Sequence, residues 1–180
     1  MHQKDTLSSN TTGIHNVAIG REALMSSTTA SYNTALGSFA LRSNTTGTNN
    51  VSLGYSAMYN NTTGYQDNAV GFGVLSANTT GFMNNAFGWY AMNSNTTGSE
   101  NVSFGDMALK LNTIGNQNVA IGNNALMNNI ANSRSVEIGY NAMLNADSRS
   151  ISSNTANTAI GYEALKGSST AANNTGQNNT

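Results

Sequence analysis

Side chains that could perform acid–base chemistry are few in this chain and are scattered along it. Both histidines, His2 and His15, lie before the first regular repeat, and we expect His15 to be a solvated loop residue. The closest acidic pair, Asp67 and Glu100, would lie two turns of a repeat apart, ~10 Å by strand spacing. Glycosidases hold two carboxylates ~5–10 Å apart, but these two occupy adjacent positions of the repeat, which face different ways. We therefore predict no catalytic residues and no enzymatic activity.

A second group of residues suggests binding rather than catalysis. Tyr55, Phe72 and Trp89 are equally spaced along the chain, and further aromatic side chains belong to the same stretch. Exposed apolar patches often mark interaction sites, and aromatic rings flanked by asparagine suit sugars. The alternative is that the rings stack on one another or pack between subunits. We name this candidate ligand-binding set the aromatic patch: Tyr55, Phe72, Trp89, Tyr90, Tyr65 and Phe82.

The composition excludes several classes of protein. The net charge is −1, so the basic surface that nucleic-acid binding requires is absent. There is no cysteine for disulfide or thiol chemistry, and no glycine–aspartate word of the calcium-binding rolls, so we predict no metal and no cofactor. No apolar run approaches the ~20 residues needed to span a bilayer, and the first ten residues lack the apolar core of a signal peptide. The polar tail over 171–180 stops in mid-repeat, which favours a fragment of a longer chain.

A row of glycines sets the organisation of the whole chain. Eight glycines follow one another at a constant spacing of 17 residues, beginning with Gly20 and Gly37. A ninth glycine follows after a longer spacing. Similar words surround each one, such as Asn-Val-Ala-Ile-Gly at Asn16–Gly20 and again at Asn118–Gly122. A fixed short period is the mark of a repeat architecture. The glycine row is Gly20, Gly37, Gly54, Gly71, Gly88, Gly105, Gly122, Gly139 and Gly161.

Each repeat can be read relative to its glycine, taken as position zero. Position −1 is always apolar and position −3 is mostly β-branched, as in Val17 and Ile19, with a small residue between them. This alternation predicts a strand, with positions −3, −1 and +4 facing inward. Position +3 is alanine in eight of nine repeats, which indicates a close approach inside the coil or between subunits. A helix of ordinary length does not fit a repeat with two glycines and an Asn-Thr-Thr cluster.

The word Asn-Thr-Thr-Gly follows, as at Asn44–Gly47 and Asn61–Gly64. Glycine and asparagine tolerate positive φ, so we predict a turn there and, in total, two short strands and two turns in each repeat. The two threonines would stack into rows, which raises an ice-binding solenoid as an alternative function. Asn-Thr-Thr is also a sequon for N-glycosylation in organisms that glycosylate surface proteins.

Asparagine stands at position −4 in seven of nine repeats. Amide side chains stacked in register can hydrogen-bond along the axis of a coil, as in the ladders of cross-β structures. We therefore predict a structural ladder with no role in ligand binding. Its members are Asn16, Asn33, Asn50, Asn84, Asn101, Asn118 and Asn157, with Asp67 and Ser135 at the same position in the other two repeats.

These patterns predict an all-β chain folded as a parallel β-solenoid, or β-roll, of about nine 17-residue turns. At a strand spacing of ~4.8 Å the rod would be ~45 Å long. We assign residues 1–9 to a lead-in and 10–180 to one solenoid domain, regular to about 139 and with longer turns over 140–180. The extra residues fall near Asn145–Ser150 and Gly167–Thr175. Arg134, Glu137, Asp147 and Arg149 are expected to be solvated in this widened zone.

The repeat words resemble those of two families of surface protein. Asn-Val-Ala-Ile-Gly followed by Ala-Leu resembles the head repeats of trimeric autotransporter adhesins of the YadA type. Asn157–Leu165, Asn-Thr-Ala-Ile-Gly-Tyr-Glu-Ala-Leu, is more closely similar to repeats of bacteriophage tail fibres. The resemblance implies a left-handed β-roll and a side-by-side homotrimer around a threefold axis. The adhesin repeats are shorter than the repeat of this chain, and nothing here matches the self-cleaving chaperone domain of many tail fibres.

The predicted function is structural. We expect a fibre or adhesin segment on a virion or cell surface, outside the cell, that serves for attachment or as a rigid spacer. Its partners would be copies of itself, with cell-surface glycans or a receptor as further partners, and neither nucleic acid nor a membrane interior. A glycan-binding module using the aromatic patch is the first alternative, and an ice-binding solenoid is the second.

Overall fold

A computed structural model describes residues 5–145, 152–167 and 176–179. Over these residues the chain forms nine short strands and no helix, so none of the described residues belongs to a helix able to cross a membrane. Each strand is three residues long and ends immediately before a glycine of the row. The strands are β1 (Val17–Ile19), β2 (Thr34–Leu36), β3 (Val51–Leu53), β4 (Asn68–Val70), β5 (Asn85–Phe87), β6 (Val102–Phe104), β7 (Val119–Ile121), β8 (Val136–Ile138) and β9 (Thr158–Ile160).

The strands form one parallel sheet in the order of the sequence, from β1 to β9. Pairing joins identical positions of successive repeats, so Val17 lies beside Thr34 and Ile19 beside Leu36. The register survives the longer interval before the last strand, where Val136 pairs with Thr158. The chain is therefore a parallel β-solenoid, and the predicted fold class is confirmed.

The predicted orientation of the strands is wrong. Position −2 is the one that faces inward: it is buried in every strand from β2 to β9, where it is alanine or serine except for Glu137 in β8, whereas positions −3 and −1 lie half-buried or exposed. In β1, Val17 and Ile19 are 50% and 44% exposed. A coil with such short turns has a thin interior, and alanine or serine fits there where valine or isoleucine does not.

Positions +3 and +4 supply the rest of the interior. The alanines at +3 are buried inside the coil, so they do not provide the flat contact surface between subunits that was one prediction for them. The leucine or methionine at +4 fills the centre as predicted; the fully buried examples are Leu24, Leu41, Met58, Leu75, Met92, Leu109 and Leu126.

Only one strand forms in each described turn, which corrects the prediction of two. The residues at +2 and +4 adopt left-handed backbone conformations, with φ of 55° at Glu22 and 51° at Leu24. Extended backbone cannot include such residues, so the second half of the turn is a series of tight bends. Hydrogen bonds between turns continue there nevertheless, for example from the Leu24 amide to the Ala40 carbonyl at 3.1 Å.

The glycine row marks a point where successive turns come unusually close. These glycines have φ between 129° and 142°, a region that side chains disfavour. A Cβ added to Gly105 would lie 2.5 Å from the carbonyl oxygen of Gly122 in the next turn. Glycine is therefore favoured at position zero by conformation in every turn, and from Gly20 to Gly139 it is also required by space.

The two ends of the coil differ from the sequence-based expectations. Leu7 already donates a backbone hydrogen bond to Ala23 and packs against the core, so the coil includes part of the lead-in. At the other end, Glu137 is fully buried rather than solvated, because it occupies an inward position −2. Arg134 is exposed as expected. Asp147 and Arg149 lie outside the described residues, as do most of the extra residues of the two longer turns.

Candidate interaction surface on the outer sheet face

One side of the rod is a continuous sheet whose outward side chains alternate with the buried ones. We call it the outer sheet face and define it by positions −5, −3, −1 and +1 of each turn. Residues at these positions are half-buried or exposed, up to 67% for Ile160 and 74% for Tyr162. Its large exposed apolar members include Val17, Ile19, Tyr32, Leu36, Tyr55, Phe72, Met83, Trp89, Phe104, Ile121, Ile138, Tyr140, Ile160 and Tyr162.

The middle of this face carries no charge. Every residue at −3 and −1 is valine, isoleucine, leucine, phenylalanine, threonine or asparagine. The charged side chains of the face stand at its margins, with Glu100 and Arg134 at −5 and Arg21 and Asp106 at +1. They sum to zero, so the face as a whole presents an apolar centre with a neutral polar border, which is the anatomy of a protein interface.

The size of the face also fits an interface. Nine strands at ~4.8 Å spacing give a length of ~40 Å, and the seven positions from −5 to +1 give a width of ~20 Å. The resulting area is about 800 Å², close to what one partner contributes to a stable protein–protein contact. The apolar centre is the smaller part of this area, and contiguous exposed apolar surface of this kind often marks an interaction site.

The aromatic patch is split between two edges of this face. Tyr55, Phe72 and Trp89 stand in column at +1, beyond the C-terminal ends of the strands. Tyr65 and Phe82 stand at −6, before the N-terminal ends, with ring centroids 5.0 Å apart and parallel planes. The six residues therefore do not meet in one site.

Within the +1 column the rings contact each other. Tyr55 stacks on Phe72 with centroids 5.2 Å apart and an interplanar angle of 11°. Phe72 also meets the edge of Tyr90 at 5.4 Å, and Trp89 lies against Tyr90 at 4.5 Å. Ring faces are thus used between turns, while Tyr55, Phe72 and Trp89 remain between 42% and 49% exposed.

The −4 residues form one hydrogen-bonded column inside the coil, from Asn16 to Ser135. Each asparagine accepts, at Oδ1, the backbone N–H of the −4 residue in the next turn; the Asn50 amide donates to Asn33 at 3.0 Å. Its Nδ2 group donates to a carbonyl 14 residues later, as from Asn50 to Gly64 at 2.9 Å. The column satisfies buried backbone groups and has a structural role.

A second asparagine column was missed in the sequence. The asparagine of this motif is buried from Asn44 onwards, and its Nδ2 group donates to the carbonyl of the residue three positions later. From Asn61 onwards it also donates to the asparagine of the previous turn; Asn78 shows both bonds, to Gly81 at 3.0 Å and to Asn61 at 2.9 Å. The recurrence of this asparagine at the same position, interrupted by Ser27, is a usable signal that turn propensity alone does not capture. The column contains Asn44, Asn61, Asn78, Asn95, Asn112 and Asn129.

Asp67 replaces asparagine in the −4 column and is fully buried. Its Oδ1 accepts the Asn84 amide at 2.8 Å, and its Oδ2 accepts Asn78 Nδ2 at 3.2 Å. Asn78 Nδ2 also donates to Asn61 Oδ1 and to the Gly81 carbonyl, so three acceptors share the two N–H groups of this one amide. Burial, the largest effect, raises the pKa of Asp67 to about 7, against the lowering effect of its hydrogen bonds.

Glu137 is the second buried acid. It stands at −2 between Ala120 and Ala159 of the neighbouring strands, and neither carboxyl oxygen has a hydrogen-bond partner among the described residues. Burial raises its pKa to about 9, so the side chain is neutral at physiological pH. Alanine or serine occupies this position in every other strand.

The candidate catalytic residues do not come together. Asp67 is buried, whereas Glu100 is exposed and accepts a hydrogen bond from Gln117 at 3.0 Å. His15 is exposed and stacks on Tyr32, with ring centroids 5.1 Å apart. Over the part of the chain that the structure describes, no three histidine or acidic side chains are grouped as a metal site would require.

Only one of the two threonine rows is exposed. The first threonine of each word donates its hydroxyl to a carbonyl of the next turn, as from Thr62 to Thr79 at 2.9 Å. The second, including Thr46, Thr63, Thr80 and Thr97, is exposed. An ice-binding surface needs a flat array, and this single row at a turn does not supply one.

No protein-family model, curated protein or solved structure matches this chain. The outer sheet face therefore has to be interpreted from its own chemistry.

Proposed function

We propose that this protein is a structural rod that assembles side by side with copies of itself through the outer sheet face. The observation that supports this most directly is the uncharged apolar centre of that face, which runs from Val17 in β1 to Ile160 in β9. Burying it removes a large apolar surface from water, which is the main driving force of obligate association.

The wider role that we propose is that of a fibre or adhesin segment on a virion or cell surface, serving for attachment or as a spacer. Regular turns, each hydrogen-bonded to the next, provide length and stiffness with little sequence variety. The resemblance to adhesin heads and tail fibres favours a left-handed coil and a homotrimer.

Assembly is tested by the mass of the protein in solution, measured by light scattering at micromolar concentration. We expect the mass of an oligomer for the unaltered chain. The double variant Leu36→Lys and Ile121→Lys places two charges in the centre of the face, because both side chains are exposed. Desolvation of these charges opposes association, so the variant should be monomeric while it keeps the same circular dichroism spectrum.

The matched control places the same two charges outside the face. Thr46→Lys and Thr97→Lys alter exposed positions of the turn, and the control should remain an oligomer. A monomeric unaltered chain would contradict the proposal, as would an oligomer that both double variants leave intact.

Glycan binding is the alternative that the edge of the face leaves to experiment. A glycan array with the unaltered chain and with Trp89→Ala distinguishes the two functions. A signal lost in Trp89→Ala and kept in Thr80→Ala would favour a lectin, whereas no signal agrees with a rod that acts through assembly alone.

A further inference from the structure

A polar pair interrupts the outer sheet face at its midpoint. Position −3 is valine or threonine in seven of nine turns, and asparagine stands there only in the adjacent strands β4 and β5, at Asn68 and Asn85. No requirement inside the coil explains this, because the position faces outward and other turns carry valine. The pair distinguishes the centre of the rod from its two ends.

The two amides are joined to each other and have apolar neighbours on three sides, with Gln66 and Met83 at position −5 on the fourth. Asn68 Nδ2 donates to Asn85 Oδ1 at 2.8 Å. Val51 and Val102 flank the pair along the column, and Val70 and Phe87 lie beside it at position −1. Among the described residues, Asn68 Oδ1 and Asn85 Nδ2 have no further partner in the chain. The half-buried pair therefore presents an acceptor, Asn68 Oδ1, and a donor group, Asn85 Nδ2, on the outer face.

We infer that the Asn68–Asn85 pair fixes the axial register of the assembly, lying opposite the same pair in a neighbouring copy of the chain. This inference rests on the proposed function. The free acceptor of one pair and the free donor of another are complementary, so two pairs can satisfy each other across an apolar contact. Polar residues buried at a single position set register in coiled coils by the same physics.

Repetition makes such a register mark necessary. The two central columns of the face, at −3 and −1, carry similar residues in most turns, so a neighbour displaced by one turn would still place mostly apolar residues on apolar residues there. The same displacement would place Asn68 of one copy against Val51 of the other, and Val102 against Asn85. A displacement of two or three turns would leave no asparagine opposite another asparagine; Thr34 would then face one of the four, and valine would face the other three. Each amide desolvated without a partner disfavours the displaced state.

The pairing does not depend on the direction of the neighbour. In a parallel arrangement each asparagine lies at the height of its own counterpart. In an antiparallel arrangement Asn68 lies at the height of Asn85, because the pair occupies two adjacent turns. The inference therefore concerns axial position, and the experiment must report axial position.

Pulsed electron paramagnetic resonance on the assembled protein makes that measurement. The chain has no cysteine, so Ser38→Cys provides one attachment point for a nitroxide, at the +1 edge of β2. We expect one narrow distance distribution between labels on neighbouring copies. In Asn68→Val/Asn85→Val the distribution should split into several distances, since axial displacements by multiples of ~4.8 Å become accessible. Its dissociation constant should fall by about tenfold as apolar contact replaces the amides.

The control is Thr34→Val, which makes another position −3 apolar without touching the pair and should keep the single distribution. Valine occurs at this position in five other turns, so the variants should fold, and circular dichroism checks this. An unchanged narrow distribution in Asn68→Val/Asn85→Val would overturn the register inference and leave the assembly standing. A monomer of the unlabelled, unaltered chain by light scattering would instead overturn the proposed function itself.

Discussion

At the scale of single residues, the interior of the rod is a set of columns in which one substitution changes every hydrogen bond around it. The −4 column shows this at Asp67. In the neighbouring turns an asparagine Nδ2 group donates to a carbonyl 14 residues later, at 2.9 Å from Asn50 to Gly64 and 3.0 Å from Asn84 to Gly98. The corresponding carbonyl for Asp67 is that of Gly81. An ionised carboxylate cannot donate a hydrogen bond to this carbonyl, whereas a protonated carboxyl can.

Asp67→Asn should therefore stabilise the rod and remove part of its pH dependence. The pKa of Asp67 is raised from 3.8 to about 7 in the folded chain. Its contribution to stability is complete below pH 3.8 and is lost as the pH rises to about 7. At pH 8 the gain in the variant should be on the order of 2–4 kcal/mol, and it should shrink towards pH 4.

Urea unfolding of both proteins at pH 4, 6 and 8 measures this difference. Asp106→Asn is a control at an exposed acid of the same type, and it should show little change. A gain in Asp67→Asn that is the same at all three pH values would contradict the assignment of a protonated carboxyl.

The second asparagine column, in the Asn-Thr-Thr-Gly turns, is interrupted at one position. Ser27 occupies the place of the buried asparagine, its hydroxyl has no partner among the described residues, and Ala30 replaces the usual glycine three residues later. A Cβ at Gly13 would lie 2.1 Å from the Ala30 carbonyl oxygen of the next turn and 2.6 Å from Asn10 Oδ1, so an alanine in this motif crowds both the next turn and the asparagine. Ser27→Asn with Ala30→Gly should complete the column and add about 1–2 kcal/mol of stability.

The two single variants test the coupling. Ser27→Asn alone should gain less because the Ala30 side chain crowds the new amide, and Ala30→Gly alone should lose about 0.5–1 kcal/mol through chain entropy. The four free energies of unfolding form a double-mutant cycle. Additive values would show that the two positions do not share space.

At the scale of the structural element, the sequence predicts the register of every strand but not which side of it is buried. The period determined the boundaries of all nine strands, because the glycine that ends each one is required by its φ and by the next turn. The side assignment failed since both sides of Val17, Ala18 and Ile19 are apolar. The larger aliphatic residues at positions −3 and −1 are expected inside because they would bury more apolar surface. The interior of this coil is too thin for them, and the alanine or serine at position −2 is buried instead.

Other parts of the site were hidden for related reasons. Ring stacking between turns depends on the direction of the side chains, and the spacing of Tyr55, Phe72 and Trp89 does not give this direction. The burial of Glu137 could have been predicted from its column once that column was known to face inward. The outer sheet face could not be predicted from the sequence, because its central positions −3 and −1 are expected in the interior.

Two glycines of the row have similar backbone conformations but differ in the space available for a side chain, and this difference supports a prediction. Gly105 and Gly161 both have strongly positive φ, at 142° and 129°. An alanine at Gly105 would clash with the Gly122 carbonyl, whereas one at Gly161 would find its nearest atom, Ala164 Cβ, 4.0 Å away. Both variants should be destabilised by strain, about 1–3 kcal/mol, and Gly105→Ala by clearly more. Thermal unfolding of the pair separates the two effects, and equal losses would show that the turns can move apart without cost.

At the scale of the whole molecule, stability should be a sum over turns, because each turn contacts its neighbours and the same columns repeat. Deletion of residues 106–122 removes one complete repeat and joins Gly105 directly to Asn123. Every downstream residue then keeps its column, so the shortened chain should fold with the same circular dichroism spectrum per residue. Its unfolding enthalpy should fall roughly in proportion to the lost turn.

Deletion of residues 106–121 is the matched control, since it removes one residue fewer and moves all downstream side chains by one position relative to the turn before. Outward aliphatic residues would then meet the inward alanine column at the junction, and the asparagine ladders would be broken. We expect this variant to unfold at a much lower temperature or not to fold. Equal unfolding temperatures for the two deletion variants would contradict this prediction, because stability would then depend on chain length and not on the alignment of the columns.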